Sequence, residues 1–372
     1  MNIDSMLRLA CDKKASDLHL IAGRSPALRI DGRLVDVESG PVPPEELSQA
    51  LSSITNDEQR RAFETEFELD FAYSLPDARR FRVNASRHMG TTCLVFRVIR
   101  GTPPSIEEMG LPEVCRDLVH KRNGLVLLTG PTGSGKSTTL AAMIEHLNKT
   151  KRYKVVTIED PIEYVYTHGT CIMSQRELGF DTHSFALALK QCLRQDPNVI
   201  LVGELRDMET AAMVLMAAET GHLVLSTGHS PSAPMAVERV VDLFPTHQQA
   251  LAQARLASVL QGVLCQLLLP RVDGRGRVAA IEVMLANGAV RNLIREGKIH
   301  QLRNVIRTSQ NIGMCTMDEA LIRLYVAGLV DKEEVLSRCV DVDEVTRTIR
   351  ESRPATTPVS TPSGKCQTAT PV

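Results

Sequence analysis

Apolar and polar positions in the first hundred residues alternate between helical and strand-like patterns. Residues 3–10 carry apolar side chains every three or four positions, which is typical of an amphipathic helix, and residues 43–54 are predicted to form a second helix. Between these segments, two runs that alternate at every second residue flank Asp31-Gly32, a dipeptide that favours a tight turn between paired strands. The pattern predicts a small α+β unit at residues 1–100 that contains a β-hairpin.

Two further alternating runs, at residues 79–84 and 93–99, predict strands that carry arginine on one face. Apolar residues flank both Arg82 and Arg97. Because neighbouring side chains of a strand point to opposite faces of the sheet, these arginines are expected to face away from the apolar core. On this pattern alone, both arginines are as readily solvated surface groups as functional ones.

The pattern changes after residue 100. Residues 101–110, which are rich in Pro and Gly, predict a linker. Beyond it, apolar strands alternate with helices, and this favours a mostly parallel sheet covered by helices. From about residue 233 the pattern is helical, apart from a Gly-rich hairpin pattern at 269–284, so we predict one α/β domain with a helical C-terminal part at 111–350. The predicted strands are 124–130, 154–160, 198–204 and 222–227, and the predicted helices begin at Lys136 and cover 184–193 and 207–219.

The C-terminal residues 351–372 are dominated by Pro, Ser and Thr. Such a segment has too few apolar side chains to bury, so it cannot order itself by packing. We predict a disordered tail.

The overall composition excludes several classes of protein. The 372 residues include 43 Lys+Arg and 44 Asp+Glu, and the formal net charge of -1 argues against a generic polyanion binder. Aromatic residues make up 3% of the chain, which leaves little for base stacking. There is no apolar run that could span a bilayer, no apolar centre of a signal peptide, and no C-x-x-C pair among nine cysteines. We therefore expect a soluble cytoplasmic protein with no nucleic-acid partner.

A phosphate-binding loop is the most specific motif in the chain. Gly130-Pro-Thr-Gly-Ser-Gly-Lys-Ser137 matches G-x-x-x-x-G-K-[ST] between a predicted strand and a predicted helix. The glycines allow a tight loop whose backbone N–H groups point at phosphate oxygens. Lys136 is expected to reach the β- and γ-phosphates, and the Ser137 hydroxyl is expected to bind Mg²⁺. The expected nucleotide-binding residues are Gly130, Pro131, Thr132, Gly133, Ser134, Gly135, Lys136, Ser137 and Thr138.

Carboxylates and histidines follow the next predicted strands. Glu159 and Glu163 belong to an acidic cluster after one strand, and Glu204 ends another, where many P-loop enzymes carry the residue directed at Mg²⁺. His222 and His229 lie at the two ends of a later strand. Each of these side chains is either a solvated or structural group or part of the phosphate site.

The order of these motifs resembles the secretion-ATPase superfamily. Its Walker A motif, Asp box, Walker B motif and His box are matched by GPTGSGKS, TIEDPIEY, VILVGELRD and TGHLVLSTGHS. The segments SDLHL, RFRVN and AVRNLIRE are similar to segments of the type IV pilus retraction ATPases, and the resemblance covers about residues 1–345. Gly228 and Ser230 depart from the family's His-box pattern STLHT, and Val290 replaces the Ile of its AIRNLIRE segment.

This resemblance implies a fold and an activity. The implied fold is an N-terminal PAS-like α+β domain at 1–100, followed by a RecA-like P-loop ATPase domain. The implied activity is hydrolysis of ATP, with Mg²⁺, by a homo-hexamer that powers pilus retraction and twitching motility. The implied partner is an inner-membrane pilus platform protein, through which the cytoplasmic motor associates with the cytoplasmic face of the inner membrane.

The resemblance also implies roles for individual residues. Ser137 and Glu204 are the implied Mg²⁺ ligands, and Glu163 is the residue that orients or activates the attacking water. The two arginines are implied to act across a subunit boundary. The implied catalytic residues are Arg82, Arg97, Glu163, Glu204 and His229.

Related activities remain open. One is a nucleotide-dependent scaffold of the pilus machine that does not hydrolyse ATP, which the presence of Glu163, Glu204 and His229 opposes. An accessory retraction ATPase and a pilus-assembly or type II secretion ATPase share these motifs, although AVRNLIRE favours the main retraction motor. A nucleic-acid motor with the same core is opposed by the charge balance. Within AVRNLIRE, Val290, Leu293 and Ile294 form a predicted apolar face, with Arg291 and Arg295 on one side of the helix. This face serves either packing or the coupling of ATP turnover to retraction.

Overall fold

The computed structural model describes residues 2–351, with the exception of Asp31, Ala78, Arg100, Thr102 and Arg275. No helix in this part of the chain is both long enough and apolar enough to cross a lipid bilayer. The strands are β1 Asp17–Leu20, β2 Ala27–Ile30, β3 Arg33–Asp36, β4 Glu68–Ser74, β5 Arg80–His88, β6 Thr91–Ile99, β7 Gly124–Thr129, β8 Lys154–Glu159, β9 Ile172–Glu177, β10 Val199–Val202, β11 Leu223–Thr227, β12 Leu260–Pro270 and β13 Arg277–Leu285. The α-helices are α1 Ile3–Asp12, α2 Pro44–Ile54, α3 Asp57–Glu66, α4 Val114–Val119, α5 Lys136–Thr150, α6 Phe185–Cys192, α7 Met208–Glu219, α8 Ala233–Asp242, α9 Thr246–Val259, α10 Gly288–Arg295, α11 Leu302–Thr308, α12 Met317–Val326, α13 Lys332–Leu336 and α14 Val342–Glu351.

The chain forms two compact units. Among the described residues, the first unit comprises 2–105 and Ile144–Gly203, and the second comprises Ile106–Met143 and 204–351. The domain bounds and the linker predicted from the sequence stay predictions. Of the tail predicted at 351–372, Glu351 is the last residue of α14, and the remaining residues lie outside the described part of the chain.

A six-stranded antiparallel sheet forms the N-terminal part of the first unit, in the order β3-β2-β1-β6-β5-β4. The predicted hairpin is confirmed as β2 and β3, in which Ile30 pairs with Arg33, although Asp31 of the predicted turn lies outside the described residues. Leu7 of α1 and Leu47 of α2 are fully buried and share one apolar core with Phe96 of β6. The predicted α+β character of this region is therefore confirmed.

The third helix of the first unit, α3, has no counterpart among the predictions. Phe63 is its single buried residue, so its sequence carries no apolar stripe. A capping box begins the helix: the Asn56 side chain accepts from the Gln59 N–H at 2.8 Å, and the Gln59 side chain accepts from the Asn56 N–H at 3.0 Å. Asn-x-x-Gln is the sequence signal that could have revealed this helix.

The remaining strands of the first unit lie side by side in the order β10-β8-β9 and run parallel. The register of β8 and β9 places Thr157 beside Gln175 and Glu159 beside Glu177. The predicted helix at 184–193 is present as α6. Parallel strands place their carboxyl ends at the same edge, and this arrangement brings Glu159 and Glu177 to that edge.

The second unit contains strands in the order β13-β12-β7-β11, in which β12, β7 and β11 are parallel and β13 is antiparallel to β12. The strand and helix predicted on either side of the phosphate loop are confirmed as β7 and α5. The helical pattern expected for residues 260–268 is wrong, because β12 occupies this segment. Its nearly continuous apolar run is buried beside β7, and periodicity alone does not distinguish such a strand from a buried helix.

Candidate nucleotide site

The segment Gly130–Thr138, called the P-loop below, leads from β7 into the first turn of α5 through backbone conformations that glycine favours. Gly130, Gly133 and Gly135 have φ angles of +139°, +78° and +85°. A Cβ atom on Gly130 would lie 2.2 Å from the carbonyl oxygen of Gln266, so a larger residue does not fit there. The loop thus has the tight geometry that directs backbone N–H groups at an anion.

Two polar side chains of the P-loop are buried. Lys136 donates from Nζ to the carbonyl oxygens of Gly130 and Pro131, at 2.8 and 3.0 Å, so its ammonium group lies over the loop. The buried Ser134 Oγ has no hydrogen-bond partner among the described residues. An ammonium group and an unpaired hydroxyl in a glycine cradle fit the phosphate chain of a nucleotide.

Gln266 on β12 holds the P-loop from the neighbouring strand, and the sequence motifs do not include it. Its Nε2 donates to the Ser134 carbonyl oxygen at 2.7 Å, and its Oε1 accepts from the Thr139 hydroxyl at 2.8 Å. Gln266 is completely buried. A glutamine inside the apolar run LCQLLL is the signal that could have singled it out, because a buried amide needs partners.

The end of β11 is joined to the end of β7 through one hydroxyl group. Thr129 Oγ1 accepts from the Ser230 N–H at 2.7 Å and donates to the Ser230 carbonyl oxygen at 2.9 Å. Both bonds use the backbone of Ser230, so the replacement of Thr by Ser at this His-box position leaves them unchanged. A Cβ atom on Gly228 would meet Thr129 Oγ1 at 3.6 Å, an ordinary contact.

Glu204 and His229 are in contact. His229 Nε2 lies 3.4 Å from one carboxylate oxygen of Glu204, and Arg206 Nε contacts the other. Glu204 is buried, whereas the His229 side chain is half exposed. By contrast, the His222 ring lies at the opposite end of β11, with Nδ1 3.0 Å from the Ala217 carbonyl oxygen at the end of α7, which is a structural position.

Glu163 lies in the loop that follows β8, residues 160–166, called the Glu163 loop below. It is exposed, whereas Ile162, Tyr164 and Tyr166 are buried and anchor the loop. The nearby Glu159 is partly buried, and desolvation raises the pKa of its carboxyl group to about 7, with hydrogen bonds from Thr157 and Gln175 opposing the shift.

Arg82 and Arg97 are directly opposite each other on β5 and β6. Both side chains are exposed on the face away from the core, as the alternation predicts. Arg97 Nε lies 3.0 Å from a carboxylate oxygen of Asp17, and Arg82 Nε lies 4.0 Å from one of Asp70. Whether these arginines contact a nucleotide stays a prediction.

The predicted site residues thus divide between the two units. The second unit contains the P-loop, Glu204 and His229, and the first contains Glu163, Arg82 and Arg97. Within the described residues, no three His, Cys, Asp or Glu side chains form a group that could hold a metal ion.

The predicted apolar face of α10 is packed rather than free. Val290 and Ile294 are completely buried, and Leu293 is partly buried. Arg291 donates to the carbonyl oxygens of Ala257 and Ser258 at 2.7 Å each, at the end of α9. Since these are terminal carbonyl groups of a helix, Arg291 caps α9.

The comparisons with known proteins agree with this geometry. The family model described as "Type II/IV secretion system protein" matches residues 1–365. The chain is 45% identical over 333 residues to the "Type IV pilus retractation ATPase PilT" of Pseudomonas aeruginosa, covering 90% of this chain and 96% of that protein. It is 44% identical over 337 residues to the "Twitching motility protein" of Neisseria gonorrhoeae, covering 91% of this chain and 90% of that protein.

A solved structure is similar over nearly the same extent. The crystal structure of the pilus retraction motor PilT with bound ADP superposes with a TM-score of 0.87 at 41% sequence identity, covering 93% of this chain and 99% of that one. The family match agrees with the mixed α/β fold and with the order of the phosphate-loop, acidic and histidine motifs. The chain belongs to the type II/IV secretion system protein family.

Proposed function

We propose that this protein is a hexameric ATPase that hydrolyses ATP to power type IV pilus retraction, and hence twitching motility. The observation that carries the proposal is 45% identity over 96% of the length of a protein named as a pilus retraction ATPase. The proposed fold assignment is a PAS-like N-terminal domain followed by a RecA-like ATPase domain. The proposed setting is the cytoplasmic face of the inner membrane, on a pilus platform protein.

The P-loop is the proposed site for the phosphates of ATP. Its backbone N–H groups and Lys136 neutralise negative charge on the β- and γ-phosphates. Ser137 and Glu204 are the proposed ligands of Mg²⁺, which would supply further charge neutralisation at the phosphates. Oxygen ligands of this kind suit Mg²⁺.

Glu163 is the proposed residue that orients or activates the attacking water. Phosphoryl transfer to water needs positioning and charge neutralisation more than covalent chemistry, so one oriented carboxylate has a large effect. The contact between His229 and Glu204 favours a second proposal. The half-exposed imidazole holds the Glu204 carboxylate in place and is available to the γ-phosphate.

Arg82 and Arg97 are the proposed arginines that reach a nucleotide across a subunit boundary. Their adjacent positions on one exposed sheet face present two guanidinium groups together. An arginine supplied in this way contributes about 10³–10⁵ in rate, so its engagement is able to gate hydrolysis. This is why a ring, rather than a single subunit, is the proposed active form.

A genetic experiment tests the proposal in cells that carry type IV pili. Cells with Lys136→Ala in place of the wild-type residue are expected to bear surplus surface pili and to lose twitching motility. The purified Lys136→Ala protein is expected to lose ATP turnover. Bald cells would point to an assembly ATPase, and normal twitching supported by a second ATPase would point to an accessory role.

A nucleic-acid motor is the remaining alternative, and a biochemical comparison excludes or supports it. ATP turnover of the wild-type protein is measured with and without single- and double-stranded DNA. We expect no stimulation, because the net charge of -1 provides no general attraction to phosphate backbones. A strong increase in turnover with DNA would favour the alternative.

A further inference from the structure

Three side chains from β8 and β9 hold the backbone on both sides of Glu163. Gln175 and Glu177 occupy alternate positions of β9, and Glu159 ends the neighbouring strand β8 beside Glu177. Glu159 accepts a hydrogen bond from the backbone N–H of Glu163 itself. Of these groups, Gln175 and Glu177 lie outside the four motifs that are matched to nucleotide binding, whereas Glu159 belongs to TIEDPIEY.

Gln175 uses both ends of its amide group on the Glu163 loop. Its Nε2 donates to the Tyr164 carbonyl oxygen at 2.8 Å and to Glu159 at 3.3 Å, and its Oε1 accepts from the Tyr166 N–H at 2.9 Å. Since a carbonyl oxygen only accepts and an N–H only donates, these partners define the orientation of the amide. Neither a carboxylate nor an apolar side chain reproduces this pair of bonds.

Glu177 holds the loop on the other side of Glu163. Its buried carboxylate accepts from the Ile162 N–H at 3.1 Å and is ion-paired with Arg80. Arg80 lies on β5, two positions before Arg82. The same carboxylate therefore connects the loop of Glu163 to the strand of Arg82.

We propose that Gln175 and Glu177 are positioning residues for ATP hydrolysis, which act by fixing the backbone on either side of Glu163. The inference rests on the proposed role of Glu163 as the residue that orients water. An error of about 1 Å in the position of a reacting group costs about 10²-fold in rate, so loosening the loop lowers turnover without affecting the P-loop.

The test uses the full-length chain and steady-state ATP hydrolysis. Gln175→Leu is expected to lower kcat by about 10–100-fold, whereas the KM for Mg-ATP stays within about twofold. Glu177→Gln keeps an acceptor for the Ile162 N–H and loses the ion pair with Arg80, so its expected loss of kcat is less than tenfold. Asn148→Leu is the matched control, because Asn148 makes comparable bonds to Thr167 and Gly169 in the next loop.

A double variant distinguishes positioning from general structural damage. If Gln175 acts through Glu163, adding Gln175→Leu to Glu163→Gln is expected to cause no further loss of kcat. Should Gln175→Leu fail to fold, Gln175→Glu replaces it, since it has the same shape but lacks the donor to Tyr164.

Three outcomes would overturn the inference. These are wild-type kcat in a folded Gln175 variant, losses that multiply in the double variant, and an equal loss of kcat in Asn148→Leu. A different result would show that the proposed role of Glu163 itself is wrong. Wild-type turnover in Glu163→Gln alone would remove the proposed role of Glu163 whatever the Gln175 variants show.

Discussion

The P-loop in the second unit and the Glu163 loop in the first unit are each held by a glutamine from a neighbouring strand, and they differ in what else holds them. Gln266 and Gln175 both use the two ends of their amide groups on a loop. The P-loop relies further on glycine conformations and close backbone packing. The Glu163 loop relies on ionisable side chains, Glu159 and Glu177.

This difference separates two physical requirements. A phosphate chain is bound by fixed backbone donors, which carry no titrating group and change little with pH. The role proposed for Glu163 needs a precise position of its carboxylate, and that position depends in part on a hydrogen bond to Glu159, a carboxyl group whose pKa is raised by burial to about 7. We therefore expect nucleotide binding to be lost by steric changes and turnover to be altered by changes in charge.

The largest effect is expected from Gly130→Ala. The new Cβ atom would lie 2.2 Å from the Gln266 carbonyl oxygen and 2.9 Å from Ser134 Oγ, so the loop must move. We expect the Kd for a fluorescent ADP analogue to rise by at least about 100-fold, or roughly 3 kcal/mol. Gly133→Ala is the control: it has open space and only the strain of φ +78°, so a change below about tenfold is expected. Equal affinities for the two variants would contradict the steric account.

Gln266→Leu is expected to have the next largest effect, and it should act on binding instead of turnover. The change leaves the Ser134 carbonyl oxygen and the Thr139 hydroxyl without this partner, at a cost of about 1–3 kcal/mol for a buried polar group. We expect the Kd for nucleotide to rise about tenfold and kcat at saturation to stay within about threefold. Gln261→Leu on the same strand, which removes a single bond to Asn123, serves as the control. A loss of kcat with unchanged affinity for nucleotide would contradict the expectation that Gln266 affects binding and not turnover.

The effect expected from Glu159→Gln is on stability, and it depends on pH. The carboxyl group has its ordinary pKa of about 4.5 in the unfolded chain and about 7 in the folded protein, mainly because of burial. The folded state thus holds the proton more tightly, and stability falls as the pH rises from about 4.5 to about 7, by roughly 3 kcal/mol at most.

Glu159→Gln removes that fall, so the variant is expected to gain stability relative to wild type as the pH rises. The measurement is the difference in free energy of unfolding between the two proteins at pH 5 and pH 8. Burial also raises the pKa of Glu282 in the second unit, so the wild-type curve alone does not isolate Glu159. If the free energies of unfolding of the two proteins differ by the same amount at pH 5 and pH 8, the charge of Glu159 does not affect the stability of the Glu163 loop.

The P-loop was predictable from the sequence, whereas the residues that hold both loops were not. The motif around Lys136 specifies strand, loop and helix through local backbone preferences, and these appear as β7 and α5. The alternation around Arg82 and Arg97 likewise predicts their exposed face. Gln266 and Gln175 act on segments far away in the chain, so their roles depend on which strands become neighbours, and local patterns do not contain that information.

The same reasoning explains the errors in the predicted elements. A buried strand and a buried helix have equally apolar sequences, so the pattern predicts a helix at residues 260–268, where the structure has β12. In α3 the helix is begun by a capping box and has little apolar periodicity, so polar end signals carried more information than the core-facing pattern.

The smallest expected effect concerns the backbone beside His229. Gly228 departs from the family's His-box pattern, and its φ lies outside the left-handed region, with an ordinary 3.6 Å contact for an added Cβ atom. Gly228→Ala is therefore expected to stabilise the fold by about 0.4–1 kcal/mol in urea unfolding, because it restricts the unfolded chain, and to leave kcat within about twofold. Gly221→Ala provides the contrast, since Gly221 has open space but a φ of +106°, and this substitution should destabilise. A strong loss of kcat in Gly228→Ala would instead mean that the His-box backbone moves during turnover. The second unit would then not bind nucleotide through a rigid backbone alone.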